Sequence, residues 1–286
     1  ATHALQSRLR APREVVRGRR SIFLWAGLSA WPAGPREIRE DAATLSESPI
    51  QGRHLLGDIF DNRNTINVKS ENVAIEIIKF IKTECPDIII HMLVGNHDCY
   101  FKNTREINSL RKFKDLKDVL VIDNLLLFPV DNKKIITYCP WIVSEEEAEY
   151  VMKTKGDILL GHFPFNGYEK IRGVTETKGY SLDAFKKNYL KVFTGHFHLK
   201  NDVYVGNPFQ MDWNDTEDQK GVLVFDTNTL KEKFIPNTIS PIYKKVYLSQ
   251  LKNKTLDMDI FKGNFIKLFL DTPYTEKIVE KLQEVI

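Results

Sequence analysis

Four short runs share one arrangement: an apolar stretch, a glycine, then a side chain able to bind a cation. They are "LLGDIFD" with Asp58 and Asp61, "LVGNHD" with Asn96, His97 and Asp98, "LLGH" with His162, and "VFTGHFH" with His196 and His198. Carboxylate, amide-oxygen and imidazole donors without a thiolate suit Mn²⁺, Fe²⁺ or Zn²⁺ in mixed nitrogen–oxygen sites rather than a structural zinc. A carboxylate can bridge two such ions about 4 Å apart, a pair that clamps a phosphate, acidifies a water and steadies both the attacking and the leaving oxygen. The chemistry within reach is therefore metal-assisted phosphodiester hydrolysis. Singly, each piece has a plain structural reading: a turn at Gly57-Asp58, a hydrogen-bonded loop at Asn96–Asp98, a core histidine at His162. Their joint occurrence in this order points to a site. His3, His54 and His91 are taken as structural, His91 because it sits inside an apolar strand.

Such side chains need rigid supports. Glycine lets a backbone turn tightly beside an ion, and in open α/β sheets sites gather at the carboxyl ends of strands. "HLLGDIF", "DIIIHMLV", "DVLVID", "LLLFPV" and "KIITYCP" are expected as short strands, with turns at Asp123-Asn124 and Asp131-Asn132. "DILLGH", "LKVFTGH" and "DVYVGNP" are further apolar runs, and "GVLVFDTNTLKEKFIP" is a hairpin around Asp226–Thr229. Ser70 is the expected cap of a helix over Glu71–Glu84, with Val73, Ile77, Phe80 and Ile81 on one face and Pro86 stopping it. Ser144–Lys153 is a second helix, and the end gives a strand, "NFIKLFLD", then a helix, "TEKIVEKLQEVI". Strands apolar on both faces imply sheets covered on both sides.

The 286 residues allow one large α/β domain or one domain with a small appendage. No apolar run approaches the roughly 18 residues of a membrane span. Three scattered cysteines, Cys85, Cys99 and Cys139, without CxxC spacing, suit a reducing compartment. Residues 1–53 carry nine Arg, no Lys, no Asn and five acids, whereas the rest carries 28 Lys, four Arg and 33 acids. The body is near neutral, so any basic track for nucleic acid must be local. A switch this abrupt suggests two nucleotide compositions joined, and segment 1–53 is expected to be foreign, from a frameshift or a fusion. An Arg-rich transit sequence is the rival reading.

With these residues in view, the sequence resembles the calcineurin-like metallophosphoesterases, and within them the SbcD-type DNA nucleases, including phage recombination endonuclease subunits. The stretches that carry the resemblance are "GDIFDNRNTI", "LVGNHDCYFKNT", "YCPW", "LLGHFPFNGY", "VFTGHFH" and "YVGNPFQMDWND…KGVLVFDT". It implies an α/β fold: a four-layer αββα sandwich over residues 54–238, with a partial capping domain over 239–286. It implies two Mn²⁺ ions, with Mg²⁺ or Fe²⁺ as alternatives. Asp58 would bridge them, Asn96, His162 and His196 would complete the second, and His198 would bind the first. His97 would protonate the leaving oxygen, with Asp98 orienting its ring. The family cuts DNA ends together with an SMC-like ATPase subunit; the C-terminal helices that bind it are expected to be absent here, and a homodimer is left open.

One departure matters. The family opens with a strand ending in Asp-x-His, which supplies the remaining ligands of the first metal, and no Asp-x-His precedes Asp58. His54 is four residues upstream on the same strand, roughly 13 Å away at about 3.3 Å per residue. Asp41, Glu40 and Glu47 have no pattern in their favour. One good metal position and one crippled one are expected. Arg63, Asn64, Tyr100, Lys102, Asn103, Arg105 and Lys200 flank the motifs and are candidates for non-sequence-specific, salt-dependent phosphate contacts. The rival functions are another metallophosphoesterase, such as a protein phosphatase or cyclic-nucleotide phosphodiesterase, and a non-catalytic DNA-binding relative.

Overall fold

Short runs rich in Ile, Val and Leu cannot bury both faces alone, and in the computed structural model they stack as two sheets between helices. The structure describes residues 21–25, 50–130 and 134–275. One sheet holds β1 (Ser21–Trp25), β2 (Ile50–Leu55), β3 (Ile89–Leu93), β4 (Val119–Ile122), β11 (Gly221–Asp226) and β12 (Glu232–Pro236), in the order β12-β11-β1-β2-β3-β4. The other holds β5 (Leu126–Pro129), β6 (Ile135–Cys139), β7 (Ile158–Gly161) and β10 (Lys191–Thr194), in the order β10-β7-β6-β5. Strands β1 to β4 are mutually parallel, as are β6, β7 and β10. Their carboxyl ends therefore share one edge of each sheet. Strand β2 runs across the compositional break at residue 53, and β1 lies wholly on its Arg-rich side.

Three apolar clusters mark the layers. Leu56, Leu93, Tyr138, Leu160, Phe193 and Phe225 fill the space between the sheets. Helix α1 (Val68–Glu84) covers the first sheet with Ala74, Ile77, Ile78 and Ile81. Helices α2 (Glu145–Lys153) and α3 (Leu182–Lys186) cover the second with Ala148, Val151 and Phe185. The α/β expectation of four layers, αββα, holds. Helix α2 forms where expected but one residue shorter: Ser144 is its cap rather than its first residue, its hydroxyl accepting from the Glu147 amide at 3.2 Å. The cap of α1 does not fall on Ser70. Asn67 takes it, its side-chain oxygen accepting from the Lys69 amide at 2.8 Å, so the helix starts earlier and Ser70 lies inside it. Val73 and Phe80, expected on the buried face, are only half-buried.

The β11–β12 hairpin turns at Asp226 as expected, where the carboxylate accepts from the Asn228 amide at 2.8 Å. "DVYVGNP" forms no strand; its Tyr204 makes an isolated bridge to Thr194. Strands β8 (Glu169–Ile171) and β9 (Val174–Thr175) form a small ribbon. Beyond the hairpin, β13 (Tyr243–Tyr247) and β14 (Phe265–Phe269) make a separate parallel pair, with α4 (Leu248–Lys252) between them in the chain. The expected turn at Asp131-Asn132, the final helix, His3, and the acids Glu40, Asp41 and Glu47 lie outside the described residues. No described helix is long and apolar enough to cross a membrane, and all three cysteines are free.

His54 and His91, neighbours in register across β2 and β3, are buried between the sheets. The Tyr138 hydroxyl, from the opposite sheet, bonds Nδ1 of both, at 2.9 Å to His54 and closer to His91. Burial holds His91 down to about 3, and burial together with the His91 charge holds His54 well below its ordinary value. In the unfolded chain both take up a proton near pH 6.5. The unfolded state thus binds more protons below that pH, and their contribution to stability falls as pH falls. His91 should cost about 2 kcal/mol between pH 7 and 5. Asp98, held up at about 6, works in the opposite direction below that pH. Urea unfolding of the wild type against His91→Gln at both pH values isolates the effect. A pH dependence identical in the two would contradict it.

Candidate metal centre

The carboxyl ends of β2, β3, β7 and β10 converge, two from each sheet. Gly57 has φ +89°, where an L side chain is strained, and a Cβ there would lie 2.2 Å from His162 Nδ1. A Cβ on Gly95 would lie 2.3 Å from Asp58 Oδ1. The tips of β7 and β10 are joined by the Gly195 amide donating to the Gly161 carbonyl at 2.9 Å. The glycines after the strands are thus the points where the two sheets touch.

Around that contact four donors face one another. His162 Nδ1–H donates to the Leu56 carbonyl at 2.6 Å, which fixes the ring and turns Nε2 inward. That Nε2 lies 3.0 Å from Asn96 Oδ1 and 3.1 Å from Asp58 Oδ2. His196 Nδ1 lies 2.8 Å from the same Asn96 oxygen. His196 reaches it from a backbone with φ 84°, an unusual conformation for a non-glycine residue. Asp58, with φ 54°, anchors its other oxygen, Oδ1, on the His97 amide at 2.8 Å.

The spacing fits a cation. Ligands about 2.1 Å from an ion and at right angles to each other lie about 3 Å apart. Without an ion the cluster closes only when His162 carries a second proton, on Nε2, shared between the Asn96 oxygen and the Asp58 carboxylate, both of which only accept; a cation at the centre would take the place of that proton. Asp58, His162 and His196 are the group of three ligand residues brought within metal-binding reach among the described residues. Burial would raise the Asp58 carboxyl, but the His162 charge and the hydrogen bonds from His162 and His97 outweigh it and hold it at about 2. Burial, reinforced by the His162 charge, drives His196 down to about 3, so its imidazole is neutral. His162 moves up: burial opposes its charge, but Asp58 beside it prevails.

His198 falls outside this group; its imidazole is depressed by burial, and its carbonyl accepts from the buried Lys220 ammonium at 2.9 Å. Lys220 in turn pairs with Asp215 at 2.6 Å, which ties the loop after β10 to the start of β11.

Asp98 has a different task from the one expected. Its oxygens accept from the amides of Asp58 at 2.8 Å, Gly95 at 2.9 Å, Ile59 at 3.0 Å and Phe60 at 3.3 Å. It clamps the Asp58 loop rather than the His97 ring. The His97 ring instead meets the Asp61 carbonyl, at 2.5 Å from Nδ1. A carbonyl only accepts, so Nδ1 carries the proton and Nε2 is the atom left for substrate. Burial and the Asp58 charge push Asp98 up to about 6.

Arg105 is a correction. It is buried, with Nε on the Asp123 carbonyl at 2.8 Å, Nη1 on the Trp141 carbonyl at 2.5 Å, and a two-pronged pair with Glu147 at 2.7 and 2.6 Å. Its guanidinium is spent inside the protein, not offered to phosphate. Tyr100, Lys102, Asn64, Asn103 and Lys200 are exposed and Arg63 is half-buried, and Lys200 Nζ stands 4.9 Å over the Phe234 ring. Two contributors went unassigned in the sequence: the Leu56 carbonyl, which has no side-chain signal, and Trp141, whose ring lies 5.4 Å from that of His196. "YCPW" held the second in plain view.

Comparison with known proteins gives the family. Exonuclease subunit 1 of Enterobacteria phage T4 is 32% identical over 193 residues, covering 63% of this chain and 54% of that protein. A phosphoesterase-like protein, 078R, of Invertebrate iridescent virus 3 is 24% identical over 193 residues, covering 62% of this chain and 52% of its own. The chain thus spans about half the length of these relatives. An archaeal phosphodiesterase of known structure superposes with a TM-score of 0.40 at 11% identity, over 76% of this chain and 99% of its own. Residues 47–200 match the family model for the calcineurin-like phosphoesterases, a span that takes in Asp58, Asn96, His162, His196 and His198, and the chain belongs to that family.

Proposed function

We propose that this chain is a metal-dependent DNA nuclease, hydrolysing phosphodiesters in recombination and double-strand-break repair as the subunit of a complex with an SMC-like ATPase. The observation that carries the reading is the cluster of Asp58, Asn96, His162 and His196 with the His97 ring beside it. Similarity to an exonuclease subunit supports nucleic acid over other phosphoesters. A divalent cation in the cluster, Mn²⁺ on our reading with Mg²⁺ or Fe²⁺ as alternatives, supplies Lewis-acid polarisation of a phosphoryl oxygen and acidifies a water. The chain's own residues do the rest. Asp58 and Asn96, at the β2 and β3 tips, would hold the cation together with His162 and His196. His97, pinned at Nδ1, delivers a proton from Nε2 to the departing oxygen.

The second ion has weaker support. Besides Asp58, the expected ligand His198 stands apart from the described cluster. Strand β1 lies beside β2, where a first metal-binding strand belongs on this reading, yet the residues after Trp25 are Ala26, Gly27 and Leu28, none with a ligand side chain. We therefore expect weak cleavage. With Mn²⁺, labelled linear DNA should be degraded slowly, and Asn96→Ala should abolish it. Turnover of a nitrophenyl phosphodiester without cleavage of DNA would favour another phosphoesterase. DNA binding without any turnover would favour a non-catalytic relative.

A further inference from the structure

We propose that the loop from Cys99 to Asn108 is a base-stacking platform, on which Tyr100 and Phe101 hold an unpaired nucleotide next to the phosphate being cut. This rests on the DNA-nuclease reading and names the substrate class: DNA ends with an overhang or a frayed strand.

The loop is closed at its base by the Cys99–Asn108 bridge and by the Tyr100 amide donating to the Ile107 carbonyl at 3.0 Å. Its inner side is pinned by the buried Arg105–Glu147 pair and by Trp141 Nε1 donating to the Lys102 carbonyl at 3.2 Å. Its outer side shows the reverse character. Tyr100 and Phe101 are 48% and 47% exposed, edge to face with centroids 4.7 Å apart, and the exposed Lys102 follows. Rings of this size held in solvent by a rigid loop are a contact surface already ordered before anything binds.

Position gives the surface its occupant. Tyr100 follows His97 by three residues, and the Trp141 that holds Lys102 packs against the metal-binding His196. Whatever lies on the rings is therefore next to the scissile group. Every nucleobase has a π-face, so stacking tolerates any sequence, and the Lys102 ammonium complements a phosphate. Bases inside a duplex are already stacked and cannot reach the rings. Unpaired ones can.

The test is a binding titration of the full chain without divalent cations, so that the readout needs no turnover. The probes are an oligonucleotide duplex with a 2-aminopurine overhang and a blunt duplex of the same length. We expect tighter binding of the overhang, with the 2-aminopurine fluorescence quenched as it stacks. Phe101→Ala and Tyr100→Ala should each weaken overhang binding about tenfold, with Phe101→Trp restoring it. Circular dichroism of each variant should match the wild type, the substituted rings being on the surface. Equal binding of the two duplexes, or variants that quench and bind as the wild type does, would overturn the platform and leave the nuclease reading standing. Variants that change only the sedimentation of the protein would assign the rings to contact between copies, and also overturn it. Failure to bind either duplex would defeat the nuclease reading as well.

Discussion

His97→Ala should slow cleavage of DNA by about 10²- to 10⁴-fold, while changing turnover of bis(p-nitrophenyl) phosphate by less than about tenfold. The difference lies in the leaving group. A sugar oxygen departs poorly as an anion and needs a proton; nitrophenolate is stable without one. On the nuclease reading the proton comes from His97 Nε2, because Nδ1 is held 2.5 Å from the Asp61 carbonyl and Nε2 is the ring nitrogen left to carry it. Rates on both substrates at saturating Mn²⁺ decide the matter. Equal losses would place His97 in cation binding or in folding instead.

Asp98→Asn should fail in a different way, losing about as much on one substrate as on the other. The carboxylate accepts from four backbone amides, those of Asp58, Ile59, Phe60 and Gly95, and from the Ser109 hydroxyl at 3.3 Å. An asparagine amide is the same size but offers one accepting oxygen and a donor that faces other donors. Leaving buried amides unmet costs about 1–3 kcal/mol each, and the loop that carries Asp58 should loosen. Support residues behind metal ligands typically change affinity 10- to 100-fold, so a drop of about that size in cation affinity is expected. Were Asp98 acting through the His97 ring, the loss would appear on DNA and vanish with the nitrophenyl substrate. Calorimetry alongside the two rate measurements separates the cases.

Much of the centre was legible because its parts are local. A strand ending in glycine followed by a ligand is a pattern within a few residues, and Asp58, Asn96, His162 and His196 all announce themselves that way. What escaped depends on distance in the chain. Asp98 meets amides some 40 residues away, and nothing beside it in sequence distinguishes a clamp for backbone from a partner for an imidazole. Arg105 sits among exposed polar residues and resembles a phosphate contact until Glu147, 42 residues on, takes its guanidinium. The shift of the α1 cap has a smaller cause: both Asn67 and Ser70 are capping residue types, and it is Asn67 whose side chain accepts from an amide of the first turn, that of Lys69. Composition drew attention to residues 1–53 as a foreign segment, yet pattern within it still yields a strand, since "SIFLW" is apolar enough to pair with both β2 and β11.

The central claim is that Asp58, Asn96, His162 and His196 enclose a cation. Calorimetric titration of the full chain with Mn²⁺ tests it most directly. One ion per chain should bind tightly, and Asp58→Ala and Asn96→Ala should each remove that event. Two ions held with comparable affinity, or a single ion indifferent to both substitutions, would contradict the account.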